Sequence, residues 1–138
     1  VVDFAVTLTD GKYHDVDSSN EAFQIAGRQA MAEGLPNCSP VLLEPVMAVD
    51  IYVPSAATSA VNGMVSSRRG HILGFDARPG WAGWDIVSAQ IPQTELNSLI
   101  VELRSATQGV GTYKASFDHL QELTGKPAEQ ALAALKAA

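Results

Sequence analysis

The runs Met47-Ala48-Val49-Asp50-Ile51-Tyr52-Val53-Pro54 and Trp84-Asp85-Ile86-Val87-Ser88-Ala89-Gln90-Ile91-Pro92 decide the reading of this chain. In each, apolar residues alternate with mostly polar ones, the period of a strand with one buried face. Each stops at a proline. A helix-like stretch follows the first and closes on Arg68-Arg69-Gly70, leading into His71-Ile72-Leu73-Gly74-Phe75. A second helix-like stretch follows the other and closes on Arg104-Ser105-Ala106-Thr107-Gln108-Gly109, leading into Tyr113 to Phe117. Gly70 lies 16 positions after Pro54, and Gly109 lies 17 after Pro92. The segment is therefore a doubled β-α-β unit.

The order β-α-β-β-α-β with short links predicts an α+β fold, a ferredoxin-like sandwich. Its four-stranded sheet is antiparallel and carries two helices on one face, because crossovers are right-handed. The first helix is expected over about 56–67, with Val61, Met64 and Val65 inward and Gly70 as a left-handed cap. In the second, Leu96, Leu99, Ile100 and Leu103 form a stripe at helical spacing behind Thr94 as N-cap. Pro79-Gly80 and Ala82-Gly83 mark the turn between the middle strands. The last strand should send Tyr113, Ala115 and Phe117 inward. The opposite sheet face would carry Asp50, Tyr52, His71, Trp84, Ile86, Ser88, Lys114 and Ser116, a mixture apolar enough to suggest a partner surface.

Ahead of the repeat, Val2, Phe4, Val6 and Leu8 alternate with polar residues and predict a strand over 2–9, ended by Asp10-Gly11. Ser18-Ser19-Asn20-Glu21 reads as a capping box opening a helix to about Glu33, stopped by Gly34 and Pro36. Gly27 inside that helix implies close packing against a neighbour. A strand at the second residue needs partners, so residues 1–43 read as an incomplete domain of a longer protein. The boundary falls near Glu44, the sandwich occupies 44–122, and 123–138 form a helical tail whose helix starts near Pro127.

Composition narrows the function classes. The chain has 138 residues, net charge −6 and pI near 4.8. That balance argues against a free-standing nucleic-acid binder, whose footprint is basic. The single cysteine, Cys38, excludes a disulfide scaffold and fits a reducing, cytoplasmic location. No apolar run approaches the roughly 20 residues of a membrane span. His14, His71 and His119 lack metal-ligand spacing, so no metal site is expected. Asp118-His119 resembles an acid–base pair, but adjacent strand residues point to opposite faces. No nucleophile motif and no phosphate loop occurs, so no catalytic residue is assigned. Arg69 to Phe75 partly imitates an RNA-recognition signature, on the second strand rather than the third; Trp84 and Tyr52 are the aromatics that could stack a base. Gly11-Lys12-Tyr13-His14-Asp15-Val16-Asp17 places a Lys, a Tyr and a His at a strand-to-helix tip, suited to phosphate, ribose or base edges.

Long strings of this sequence resemble translation elongation factor G. They are Asp10-Gly11, Tyr13 to Ser19, Ala22-Phe23, Ile25-Ala26-Gly27, Pro40 to Pro45, Arg68-Arg69-Gly70, Ile72-Leu73-Gly74, Leu103-Arg104-Ser105, Thr107-Gln108-Gly109 and Phe117-Asp118-His119. Residues 2–45 are similar to the end of domain IV of that family, an α/β domain present here in part, and 44 to about 122 to its domain V. The resemblance implies a translational GTPase that moves transfer RNA and messenger RNA through the ribosome or helps recycle ribosomes. The fragment itself would bind and couple without catalysis. It implies that GTP and Mg2+ belong to an N-terminal domain outside this chain, with no cofactor in the fragment. Lys12, Tyr13, His14 and Asp15 would form the tip that contacts transfer RNA and messenger RNA, and Arg68, Arg69, His71 and Arg104 are candidate contacts to ribosomal RNA. The implied partners are the ribosome and the other domains of the same protein, with no membrane and no oligomer. Gln24, His71, the segment Leu96 to Glu102, Leu120-Gln121-Glu122, Trp81 and Trp84 depart from the usual pattern and imply a divergent paralogue. The alternative is a stand-alone ferredoxin-like ligand-binding or regulatory domain.

Overall fold

The computed structural model describes residues 1–137, in two compact units that divide between Pro40 and Val41. In the second unit, strand β1 (Leu43–Pro54) leads through a 3-10 turn into helix α2 (Thr58–Ser67). Strands β2 (His71–Ala77) and β3 (Trp84–Pro92) follow, then helix α3 (Leu99–Ala106), strand β4 (Thr112–Glu122) and helix α4 (Gly125–Ala137). The strands order as β2-β3-β1-β4, and every neighbouring pair is antiparallel. This is the ferredoxin-like α+β sandwich that the doubled repeat predicts.

The core forms where the alternating faces of β1 and β3 meet the two helices. Val49, Ile51 and Val53 of β1 pair in register with Ala89, Val87 and Asp85 of β3. Their apolar side chains are buried together with Ile91, Val61, Val65, Leu99 and Leu103. Removing each such side chain from water is worth about 1.5–3 kcal/mol. Met64 is only half-buried. Leu96 lies in a 3-10 turn before α3 and packs against the core from there. Phe117 shares the core face of β4 but is exposed, since β4 is an edge strand and α3 is short.

β1 and β4 are longer than the alternation indicates, because a bulge lets the ladder continue. Met47 pairs with Phe117 but Val46 pairs with His119, leaving Asp118 as the extra residue. The bulge re-aims side chains. Asp118 and His119, expected on opposite faces, consequently meet through Oδ2 and Nδ1, and Gln90 Nε2 donates to the same Oδ2 at 3.0 Å.

Both helix-to-strand turns end with the same bonds. Gly70 N–H donates to Val65 C=O at 2.9 Å, and Gly109 N–H donates to Arg104 C=O at 2.7 Å. These are six-to-one closures of helix ends. The left-handed residue of the first turn is Arg69 (φ 55°), not Gly70; in the second, Gln108 (φ 54°) and Gly109 (φ 91°) both have positive φ. Gly70 is needed for a different reason. A Cβ there would lie 2.6 Å from Val65 Cγ1 and 2.8 Å from Val65 O.

The first unit has helix α1 (Asn20–Gly34) and a 3-10 turn at Leu35–Cys38. Ser19, one residue later than the predicted capping box has it, caps α1 by accepting Ala22 N–H at 3.1 Å. Residues 2–9 form no strand, although their alternation predicts one. A strand exists only through ladder bonds to a neighbour, and the described residues offer it none. Val2, Phe4, Val6 and Leu8 are exposed, and no residue of α1 is buried. Nothing approaches the position of a Cβ at Gly27 within 4 Å, so the packing expected there is not made.

Two substitutions separate these roles. Gly70→Ala should lower stability by about 1–3 kcal/mol through overpacking. Gln108→Gly should raise it by about 1 kcal/mol by removing a left-handed non-glycine residue. Urea-denaturation midpoints of the two variants should move in opposite directions.

Candidate functional site

The tip residues Lys12, Tyr13, His14 and Asp15 lie in the first unit, before α1, and all are exposed. Their backbone is tied into a closed turn. His14 N–H donates to Ser18 Oγ at 2.8 Å, and Ser18 N–H returns a bond to His14 C=O at 3.0 Å. Ser18, displaced from capping by Ser19, thereby holds the loop. Asp10 Oδ1 accepts Gly11 N–H at 2.7 Å at its other end. A fixed backbone carrying exposed Lys, Tyr and His side chains suits contact with phosphates and base edges.

The second group is dispersed. Arg68 stands at the C-cap of α2 and is only 5% exposed. Its Nη1 donates to Met64 C=O at 3.2 Å, while Nη2 reaches Ser98 Oγ at 3.1 Å and Glu102 Oε1 at 2.7 Å. Nε is buried without a partner. One guanidinium thus closes the end of α2 against the start of α3, and it has little left to offer an external phosphate. Arg69 donates to both oxygens of Glu44, at 2.7 and 3.0 Å, and through Nε to Glu95 at 3.1 Å. Two carboxylates neutralise it, and the Glu44 bond holds it protonated beyond its ordinary range. His71 opens β2 opposite Gln90 and is exposed; Arg104 is exposed in the last turn of α3. Of the four, His71 and Arg104 are the side chains presented to solvent without an ion pair among the described residues.

The anchors of these arginines leave no mark in the sequence. Glu44, Glu95, Ser98 and Glu102 lie 25 to 34 residues from their arginines, so no local pattern links them. A further cluster forms at the β2–β3 connection, where the Arg78 guanidinium sits 3.8 Å from the Trp81 ring centre and 4.9 Å from that of Tyr52. The tryptophans stood out in the sequence, but nothing there placed an arginine between them and Tyr52.

The second unit is an antiparallel β-α-β-β-α-β module, and a helix with an exposed, closed tip turn precedes it in the chain. Comparison with known proteins gives the family. The model of the elongation factor G C-terminus matches residues 41–131, and that of elongation factor G domain IV matches residues 1–39. An elongation factor G-like protein of Synechocystis sp. is 55% identical over 126 residues, which are 91% of this chain and 19% of that protein. A crystal structure from Thermus thermophilus superposes with a TM-score of 0.83 at 31% identity, over 94% of this chain and 19% of the other. The chain belongs to the elongation factor G family of translation factors, within its C-terminal region, and spans about a fifth of the length of these relatives.

The Arg68–Glu102 contact has a pH signature. Hydrogen bonding to Arg68 holds the Glu102 carboxyl below its ordinary value of 4.5. A carboxyl depressed in the folded state adds stability that is complete above its unfolded value and is lost as pH falls through the folded one. Glu102→Gln should therefore cost stability near neutrality, and the difference from wild type should shrink below about pH 4.5. Paired urea titrations at the two pH values measure this.

Proposed function

We propose that this chain is the ribosome-contacting C-terminal region of an elongation-factor-G-like GTPase, acting in transfer-RNA–messenger-RNA translocation or in ribosome recycling. The observation that carries the proposal is the family match over both units, joined to a tip turn whose backbone is fixed while its Lys12, Tyr13 and His14 side chains stay exposed. The mechanism is mechanical. The tip would enter the decoding region, where Lys12 meets phosphate and His14 and Tyr13 meet ribose or base edges. The sandwich would transmit movement as a rigid body, because its core is buried and both of its helix ends are closed. GTP and Mg2+ would be held by a part of the protein outside this chain, in the cytoplasm. Within the sandwich, Arg104 and His71 are the better candidates for ribosomal-RNA contact. Arg68 serves the fold, and Arg69 would have to leave Glu44 and Glu95 first.

Two experiments test this reading on the full-length protein. His14→Ala should slow single-turnover translocation or ribosome splitting about tenfold or more, the loss expected for one positioned contact. Unchanged rates in both reactions would overturn the tip role. Arg104→Glu should weaken ribosome binding, while Arg68→Met should change thermal stability with ribosome affinity unaffected in the folded fraction; pelleting through sucrose separates the two.

A further inference from the structure

The end of the open sheet face holds a built aromatic and cationic platform. Arg78-Pro79-Gly80-Trp81-Ala82-Gly83-Trp84 joins β2 to β3 through two successive tight turns. Trp81 N–H donates to Arg78 C=O at 3.1 Å, and Trp84 N–H donates to Trp81 C=O at 3.2 Å. Each turn has a left-handed glycine at its third position, Gly80 (φ 77°) and Gly83 (φ 78°), and Pro79 fixes the second position of the first. That is the chemistry of type II turns. Arg78 N–H closes onto Trp84 C=O at 2.8 Å, and Ser55 N–H ties Gly83 C=O to the start of the first crossover at 2.9 Å. The backbone under the two indoles is fixed from four sides.

The side chains on it are arranged for stacking. Trp81 and Trp84 meet edge to face, with centres 5.3 Å apart at 75°. The Arg78 guanidinium covers Trp81 at 3.8 Å and lies 4.9 Å and 5.7 Å from the centres of Tyr52 and Trp84. Trp81 remains 50% exposed. A shallow cleft of about 430 Å3 opens here, lined by Ser55, Arg78, Trp81, Trp84 and Asp85 among others. The Asp85 carboxylate does not answer Arg78, since it accepts Ser55 Oγ at 2.8 Å and Thr58 Oγ1 at 2.7 Å. Arg78 makes no ion pair among the described residues.

Tyr52 lies on β1 opposite Ile86 of β3, and Pro54 lies opposite Trp84. Tyr52 and Trp84 therefore sit on the two central strands of a four-stranded sheet, on the face without helices, and Trp81 stands in the turn beside them. That is where sheets of this topology stack unpaired bases. Further along this face Asp50 is bonded to Ser88 and opposes Lys114, and Asp118 is bonded to Gln90. Asp76 stands on the edge strand opposite Ile86. With carboxylates there and a net charge of −6, a long phosphate track is excluded. What remains is a site for one or two nucleotides, held by stacking and a single guanidinium.

We propose that Trp81, Trp84, Tyr52 and Arg78 bind an unpaired RNA segment, a base stacking on Trp81 and a phosphate engaging the free edge of Arg78. Planar guanidinium suits bidentate phosphate contact while its face stays on the indole. The inference deepens the ribosomal reading above by naming a contact surface, but its test uses no ribosome, so either can fail alone.

The test is fluorescence anisotropy of a labelled uridine oligonucleotide of about ten nucleotides, titrated with the whole chain. The expected result is saturable binding to the single strand and at least tenfold weaker binding to a duplex of equal length. With one cation engaged, the slope of log K against log salt should lie near about −0.7. Trp81→Ala should weaken binding at least tenfold, Trp81→Phe no more than about threefold, and Arg78→Gln should flatten the salt slope. Unchanged circular-dichroism melting of Trp81→Phe keeps the comparison valid if Trp81→Ala unfolds. Equal binding of duplex, an unaltered affinity in both Trp81→Ala and Arg78→Gln, or saturation by a polyglutamate peptide in place of RNA would overturn the proposal. Absence of binding would leave the cluster as a staple of the hairpin and overturn it too.

Discussion

Interleaving of the two half-repeats is the constraint on which the rest of the sandwich depends. The first half contributes β1 and β2, and the second contributes β3 and β4, but the strands order as β2-β3-β1-β4. β1 pairs with both strands of the second half and never with its own partner β2. Neither half can form a sheet or bury its helix alone. Val49, Ile51 and Val53 are buried only because β3 lies beside them and both helices cross above. Long-range pairing of this kind must beat loop-closure entropy before any contact offsets it. Interleaving of this kind favours folding of the module as one cooperative body.

The helix ends show how the chain uses its few cations. Of nine Lys and Arg, Arg68 and Arg69 are turned to internal work at the junction of α2, α3 and the start of β1. Arg68 links two helix termini, and Arg69 tolerates a left-handed backbone while gripping Glu44. An adjacent arginine pair suggests a phosphate grip when seen as a string. In the fold it is a clasp. The exposed cations that remain are scattered and form no basic field.

The first unit behaves as a helix and an extended arm whose apolar residues are uncovered. Its His14–Ser18 turn is locally complete and needs nothing from elsewhere, because each bond is made within five residues. The arm is the opposite case. Its alternation is strong, yet alternation specifies which face would be buried and supplies no ladder partner.

Within the sandwich, the element order, the core-facing residues of β1 and β3 and the two glycine-marked helix ends are legible in the sequence alone. Each rests on short-range periodicity or on turn chemistry that acts within a few residues. The sequence also marks the exposed loop ahead of α1, through the residue types of Gly11 to Asp17. Only the tertiary structure decided the fate of the arginines. Partners 25 to 34 residues away cannot be read from spacing, and burial of Arg68 follows from how α2 meets α3. The bulge that brings Asp118 to His119 was likewise invisible, since it arises from a register between β1 and β4. The same holds for Tyr52 and Arg78, which lie far apart in the chain and meet because antiparallel pairing folds the hairpin beside β1. Local signals fix what each segment can become; which charges remain free for a partner is set by contacts that exist only after the strands have interleaved.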